Sequence, residues 1–210
     1  MIILDIETSG TDPRRHCMLS LGAVDYDTGE EFYGECSVYV DSEIDPVAME
    51  INGFKQEDMQ PGKKQTAHGL FHKFHFWAQQ FPNKLLAGHN IGHLDILFLE
   101  HLDSLYTQYH LPWSFGYRTL DLHSVAYTVL GKSLSHENIC KELGLPVEPK
   151  PHNALNGARS ECAAFRELFK RMDTMRTWKP LLNWENMLAI KVKPDLEWGQ
   201  VVGRTQRGEK

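Results

Sequence analysis

The sequence predicts an α/β protein, a mixed central β-sheet flanked by α-helices, and two patterns lead there. The N-terminal third reads as three strands, residues 2–6, 18–25 and 31–40, the last two joined as a hairpin through Asp27-Thr28-Gly29. Short apolar runs then alternate with segments of helical period, the arrangement of a sheet covered by helices. At 210 residues and 41% hydrophobic content, the chain is long enough for one substantial core.

The elements follow in order. Ile2-Ile3-Leu4 opens the first strand, and Met18-Leu19-Ser20-Leu21-Gly22-Ala23-Val24 forms the second. Residues 65–80, rich in Phe and Trp, read as a helix, followed by a strand near Leu85-Leu86. Asp95 opens an amphipathic helix through Ile96-Leu97-Phe98-Leu99, and a strand near Thr119-Leu120 comes next. Pro151-His152-Asn153 leads into a helix of about twenty residues through Ala163-Ala164-Phe165 and Leu168-Phe169.

Asp5-Ile6-Glu7 is the most informative stretch. Alternate side chains of a strand share a face, so both carboxylates point into one small volume. Such a pair suits hard divalent cations, or an acid/base couple with separated pKa values. The structural alternative makes Glu7 a solvated strand end and Asp5 a cap for the turn Thr8-Ser9-Gly10. Asp95 alone reads as a helix cap, and His152 alone as a structural histidine before a helix. Taken together, these acid and imidazole positions at strand ends and helix starts favour a shared site.

The order Asp5-Ile6-Glu7-Thr8-Ser9-Gly10, Ala87-Gly88-His89-Asn90 with Asp95, and Pro151-His152-Asn153-Ala154-Leu155 resembles the DnaQ-like (DEDDh) 3'-5' exonuclease family. The resemblance covers roughly residues 1–172 and implies the RNase H-like exonuclease fold. Ala48-Met49-Glu50-Ile51-Asn52-Gly53-Phe54, Thr119-Leu120-Asp121-Leu122 and Leu143-Gly144-Leu145 are similar to the family's connecting segments. By resemblance, Asp5 bridges two Mg2+ or Mn2+ ions, Glu7 binds one and Asp95 the second, while His152 takes the proton from the attacking water. Thr8 and Asn90 stand where the family receives the terminal nucleotide, and both equally suit turns. Asp121 matches a family acid that is not a metal ligand and reads as structural.

The chain departs from the family twice. Asp95 lies five residues after Asn90 instead of four, an insertion that Gly92 is expected to absorb. The second departure is larger: the third-motif acid, five positions after His152, is replaced by Gly157. Glu161 lies four residues further, one helical turn along on the same face, and its longer side chain leans back toward the gap. Glu161 is therefore the expected fourth metal-binding carboxylate. The alternatives are a solvated Glu161 paired with Arg159 or Arg166 and, for the whole chain, a catalytically impaired relative that binds nucleic acid or a protein partner.

Composition frames the remaining expectations. A net charge of -6 argues against avid duplex binding over the whole surface, but suits an enzyme gripping single-stranded DNA or RNA at its 3' end. No apolar run spans a membrane, and the scattered Cys17, Cys36, Cys140 and Cys162 read as free thiols, so a cytoplasmic enzyme is expected. His68, His72 and His75 invite a zinc reading, but no Cys completes a set and a helix surface fits better. A boundary after Met175 divides an exonuclease domain, 1–175, from a C-terminal extension, 176–210. The extension carries seven Lys or Arg against four Asp or Glu, and its Trp178, Trp184 and Trp198 suggest packing on the body or on a protein partner. Residues 203–210 read as a frayed end.

Overall fold

The computed structural model describes residues 1–39, 41–105 and 115–178. Six strands form one sheet in the order β4-β3-β2-β1-β5-β6: β1 Ile2–Thr8, β2 Met18–Asp25, β3 Glu31–Ser37, β4 Gln65–Thr66, β5 Leu86–Gly88 and β6 Thr119–Asp121. The β1–β2 and β2–β3 pairs are antiparallel; β5 pairs parallel with both β1 and β6, and β4 pairs parallel with β3. The mixed sheet and its helical cover agree with the fold expected from the sequence. Among the described residues six α-helices accompany it: α1 Pro46–Asn52, α2 Ala67–Ala78, α3 Asp95–Leu105, α4 Leu122–Leu130, α5 His136–Leu143 and α6 Ala154–Trp178.

Several boundaries differ from the sequence reading. The 65–80 segment divides because Thr66 leaves helical geometry to cap α2, its hydroxyl accepting from the Gly69 amide at 3.0 Å. Residues 46–52, expected only as a connection, form α1, capped by Asp45 and ended by left-handed Gly53. The chain forms two compact units, Met1–Arg171 and Met172–Lys210. The expected role of the C-terminal extension, with Trp184, Trp198 and the 203–210 end, lies outside the described residues.

The pleat of β1 divides the core. Ile2, Leu4 and Ile6 pack with Leu70, Phe71 and Phe74 of α2 and with Leu99 of α3. Ile3 points the other way, into the cluster built by Ala158, Phe165 and Leu168 of α6 and Leu122 of α4. Asp5 and Glu7 continue the Ile3 face, so the helix that buries Ile3 also covers the acids. Full burial of a side chain such as Phe165 contributes about 1.5–3 kcal/mol and anchors α6 there. Gly22, the register partner of Asp5, permits close approach: a Cβ there would lie 2.3 Å from the backbone of Ala154 and Leu155. The first turn of α6 consequently sits beside Asp5.

Candidate active site

The site begins where β1 outruns its neighbour. Pairing with β5 ends at Ile3, so the Ile6 amide meets no partner strand on that side, and Asp95 Oδ1 accepts it at 3.1 Å. This buried hydrogen bond places Asp95 between Asp5 and Glu7 along the strand. The turn that delivers Asp95 is built around Asn90, whose φ is 56°, and the His93 amide donates to the Asn90 carbonyl at 2.8 Å. The Ile96 amide then reaches five residues back to the Ile91 carbonyl at 3.0 Å, which accommodates the extra residue. Asn90, not Gly92, therefore takes the left-handed conformation, because Asn is among the few side chains that visit it readily.

On the opposite side, α6 is capped by Asn153, whose Oδ1 accepts from the amides of Leu155 at 3.1 Å and Asn156 at 3.3 Å. His152 precedes the cap and is held by donation from its amide to the Ile51 carbonyl at 3.0 Å. Gly157 faces Asp5 so closely that a Cβ at 157 would lie 1.9 Å from Asp5 Oδ2. Glu161, one turn on, is 4% exposed, and the backbone amide of His89 lies near enough to its carboxylate to favour the charged form. Neither suggested surface partner takes it: Arg159 makes a two-pronged ion pair with Glu31, and Arg166 donates to the Tyr26 carbonyl at 2.6 Å. Glu161 Oε2 is buried without a hydrogen-bond partner and lies 3.2 Å from where a Cβ on Gly88 would stand.

These groups meet in a cavity of about 590 Å³. Asp5, Glu7, Asp95, Glu161, His152 and Asn90 all line it, so the predicted acids and imidazole share one space. Thr8 does not line it: its hydroxyl donates to the Gly10 carbonyl at 2.7 Å, and Thr11 reaches the cavity instead. Asp121 caps α4, as its structural reading requires, accepting from Ser124 at 2.8 Å. His68 and His72 contact each other on α2 at 2.9 Å, and His75 is buried beside Phe115. Among the described residues, no grouping suited to a metal forms there. All four cysteines are free and buried.

Besides Thr11, two titratable cavity residues escaped the sequence reading. His136 of α5 contacts Ser160 at 3.2 Å, and burial, with His89 and His152 nearby, lowers its pKa to about 4. Glu148, between α5 and α6, brings a carboxylate against Glu7 and His152: one ligand atom from each lies within 4.8 Å of the others. Its stretch has no periodicity to signal an inward side chain; the only local hint is the stiff Pro146, Pro149 and Pro151 run.

The electrostatics are those of anions held without counter-charge. Burial, then repulsion from Glu161, Asp95 and Glu7, pushes Asp5 well above the usual carboxylate range. Burial and the proximity of Glu148 lift Glu7 to about 8, and burial lifts Asp95 to about 7 against the opposing backbone hydrogen bonds. Glu161 is also pushed up, by burial and then by Asp95. Among the described residues, no Lys or Arg lines the cavity to neutralise them. An orphaned buried carboxylate oxygen beside three further acids is a donor set that fits divalent cations.

A pH dependence follows. With no metal bound, folded Glu7 keeps its proton up to about pH 8, whereas the unfolded group releases it near 4.5. Between those values the folded state binds more protons, so stability is fully present below about pH 4.5 and is lost as pH rises through 8. In EDTA, Tm is expected to fall by at least about 5 °C between about pH 5 and pH 8, and saturating Mn2+ should remove most of that fall. Identical pH profiles with and without Mn2+ would contradict the assignment.

Comparison with known proteins gives the family and the fold. A family model described as Exonuclease (RNase_T) matches residues 2–165, whereas no curated protein matches the sequence. Among solved structures, Escherichia coli exonuclease I in complex with a dA16 oligonucleotide is 19% identical, with a TM-score of 0.64 over 90% of this chain and 44% of that one. The nuclease domain of 3'hExo, a DEDDh family member bound to rAMP, is 14% identical, with a TM-score of 0.65 over 80% of this chain and 90% of that one. Exonuclease I from Methylocaldum szegediense is 21% identical, with a TM-score of 0.65 over 81% of this chain and 40% of that one. The chain spans less than half the length of the exonuclease I chains it matches. No described helix is long and apolar enough to cross a membrane. The family match across the whole sheet and the site, together with the structural likeness, identifies the chain as a member of the RNase_T exonuclease family, with the DnaQ-like, RNase H-like fold.

Proposed function

We propose that this protein is a metal-dependent 3'-5' exonuclease that hydrolyses the terminal phosphodiester of single-stranded DNA or RNA and releases nucleoside monophosphates. The observation that carries this reading is the convergence of Asp5, Glu7, Asp95 and Glu161 in one cavity that no Lys or Arg lines among the described residues, with His152 at the same space. A cavity of about 590 Å³ falls in the range that takes a nucleotide-sized ligand. Relatives of the same fold are bound to a DNA oligonucleotide and to rAMP, which supports a single-stranded nucleic acid as the substrate class.

Asp5, Glu7, Asp95 and Glu161 would hold two Mg2+ or Mn2+ ions. When bound, that pair polarises the scissile phosphodiester, acidifies the attacking water and stabilises the leaving 3'-oxygen. The chain's own residues do the rest. Asp95 is oriented by the Ile6 amide, and its fixed carboxylate sets the depth of the site. His152, 37% exposed at the side chain and anchored through its backbone, takes the proton from water at an imidazole nitrogen and must begin neutral to do so. Asn90 presents its side chain to the cavity, where it contacts the terminal nucleotide.

The test is digestion of end-labelled single-stranded DNA and RNA in Mg2+, Mn2+ or EDTA. A ladder shortening from the 3' end, lost in EDTA and in Asp5→Ala, is expected. His152→Ala should lower turnover by about 100-fold or more while keeping metal affinity. A ladder that persists in EDTA or in Asp5→Ala rejects the metal site, and near-normal turnover in His152→Ala rejects the base. The rival reading, a relative that kept the fold only for binding, predicts no ladder under any condition.

A further inference from the structure

We propose that Glu148 is a ligand of the divalent cation beside Glu7, supplying from the segment between α5 and α6 an acid that position 157 lacks. The inference rests on the metal-dependent reading above and adds a residue outside the family's motifs.

Position 157 cannot serve that cation, because its Cβ would stand 1.9 Å from Asp5 Oδ2. Of the two nearby acids, it is Glu148 whose carboxylate groups with that of Glu7, and Glu161 is not part of that grouping. Glu148 and Glu7 bring carboxylate oxygens within 4.8 Å of each other, a spacing that a single cation can bridge, and the His152 imidazole stands within the same distance of both.

Glu148 is also built into its place. Its side chain is 8% exposed, and its Oε1 accepts from the Asn153 amide at 3.0 Å, so the residue that caps α6 also orients this carboxylate. The other oxygen, Oε2, lies 3.6 Å from His152 Nδ1, too far for a hydrogen bond. Beside it, the Glu7 carboxylate is 8% exposed and accepts no hydrogen bond among the described residues. Two carboxylates this close and nearly buried repel unless a proton or a cation sits between them.

Calorimetric titration of the full chain with Mn2+ tests the inference. The parent should bind two ions, and Glu148→Gln, which keeps an oxygen for the Asn153 amide, should weaken one of them by about 10-fold or more and leave the other unchanged. If the Gln variant fails to fold, as judged by Tm in EDTA, Glu148→Asp keeps the charge one methylene back and should still bind one ion more weakly than the parent. Parent-like Mn2+ affinity in the folded variant overturns the proposal, whatever its nuclease rate. A parent that binds two ions but cuts no nucleic acid, with one ion weakened in Glu148→Gln, sinks the exonuclease reading and supports this one.

Discussion

Gly157→Asp, which restores the acid at the spacing usual in the family, is expected to lower nuclease activity by about 100-fold instead of raising it. The reason is steric first. A Cβ at 157 would lie 1.9 Å from Asp5 Oδ2 and 2.8 Å from its Cγ, and Asp5 sits on a central strand opposite Gly22, against which α6 is already pressed. Neither the strand nor the helix has room to withdraw, so Asp5 must rotate away from its place among the acids. The new carboxylate also joins Asp5, Glu7, Asp95, Glu148 and Glu161 in a cavity that no Lys or Arg lines among the described residues. Gly157→Ala separates the two causes. A helix-interior Gly→Ala change ordinarily stabilises by about 1 kcal/mol, but here it should destabilise and inactivate despite that gain. Initial rates of 3'-end digestion at saturating Mn2+ decide the matter. A Gly157→Asp protein faster than the parent would mean that Gly157 marks an activity in decline.

Glu161→Gln is expected to separate activity from stability. Its carboxylate is 4% exposed, has one oxygen without a partner and stands beside Asp95 and Asp5, so in the metal-free protein its charge is a burden. Gln keeps the shape and an oxygen for the His89 amide but removes the repulsion. The variant should melt at least about 4 °C higher than the parent in EDTA near pH 8. It should also lose activity by about 100-fold or more in Mn2+, because one of the carboxylates that hold the cations is gone. A Glu161 that merely fills space would give the first change without the second. Unchanged activity would remove it from the site.

Much of this arrangement was legible in the residues themselves. The strands expected at 2–6, 18–25 and 31–40 from short apolar runs and one turn are found at 2–8, 18–25 and 31–37, and Asp5 and Glu7 follow from the two-residue period of a strand. Glu161 is found by helical spacing from the gap at 157, a rule that works because α6 is regular through both positions. Glu148 was not legible, since an irregular segment carries no period and its side chain turns inward only through the bond to Asn153. His136 lies on a short helix whose orientation depends on tertiary packing. The turn after Asn90 shows the same limit: glycine was the obvious residue to absorb an insertion, yet Asn90 does so, because the hydrogen bonds of His93 and Ile96 decide which residue must reverse the chain. Thr8 sits where the family receives substrate, but the bond to Gly10 turns its hydroxyl back into the chain.

The central claim is that acids from β1, the start of α3 and the body of α6 gather around a pair of divalent cations. Crystals grown in Mn2+ and measured at the manganese absorption edge test it most directly. The account predicts two anomalous peaks in this cavity, with carboxylate oxygens of Asp5, Glu7, Asp95 and Glu161 at about 2.0–2.6 Å from one or the other. A cavity with no peak at saturating Mn2+, or ions bound only elsewhere on the chain, would contradict it.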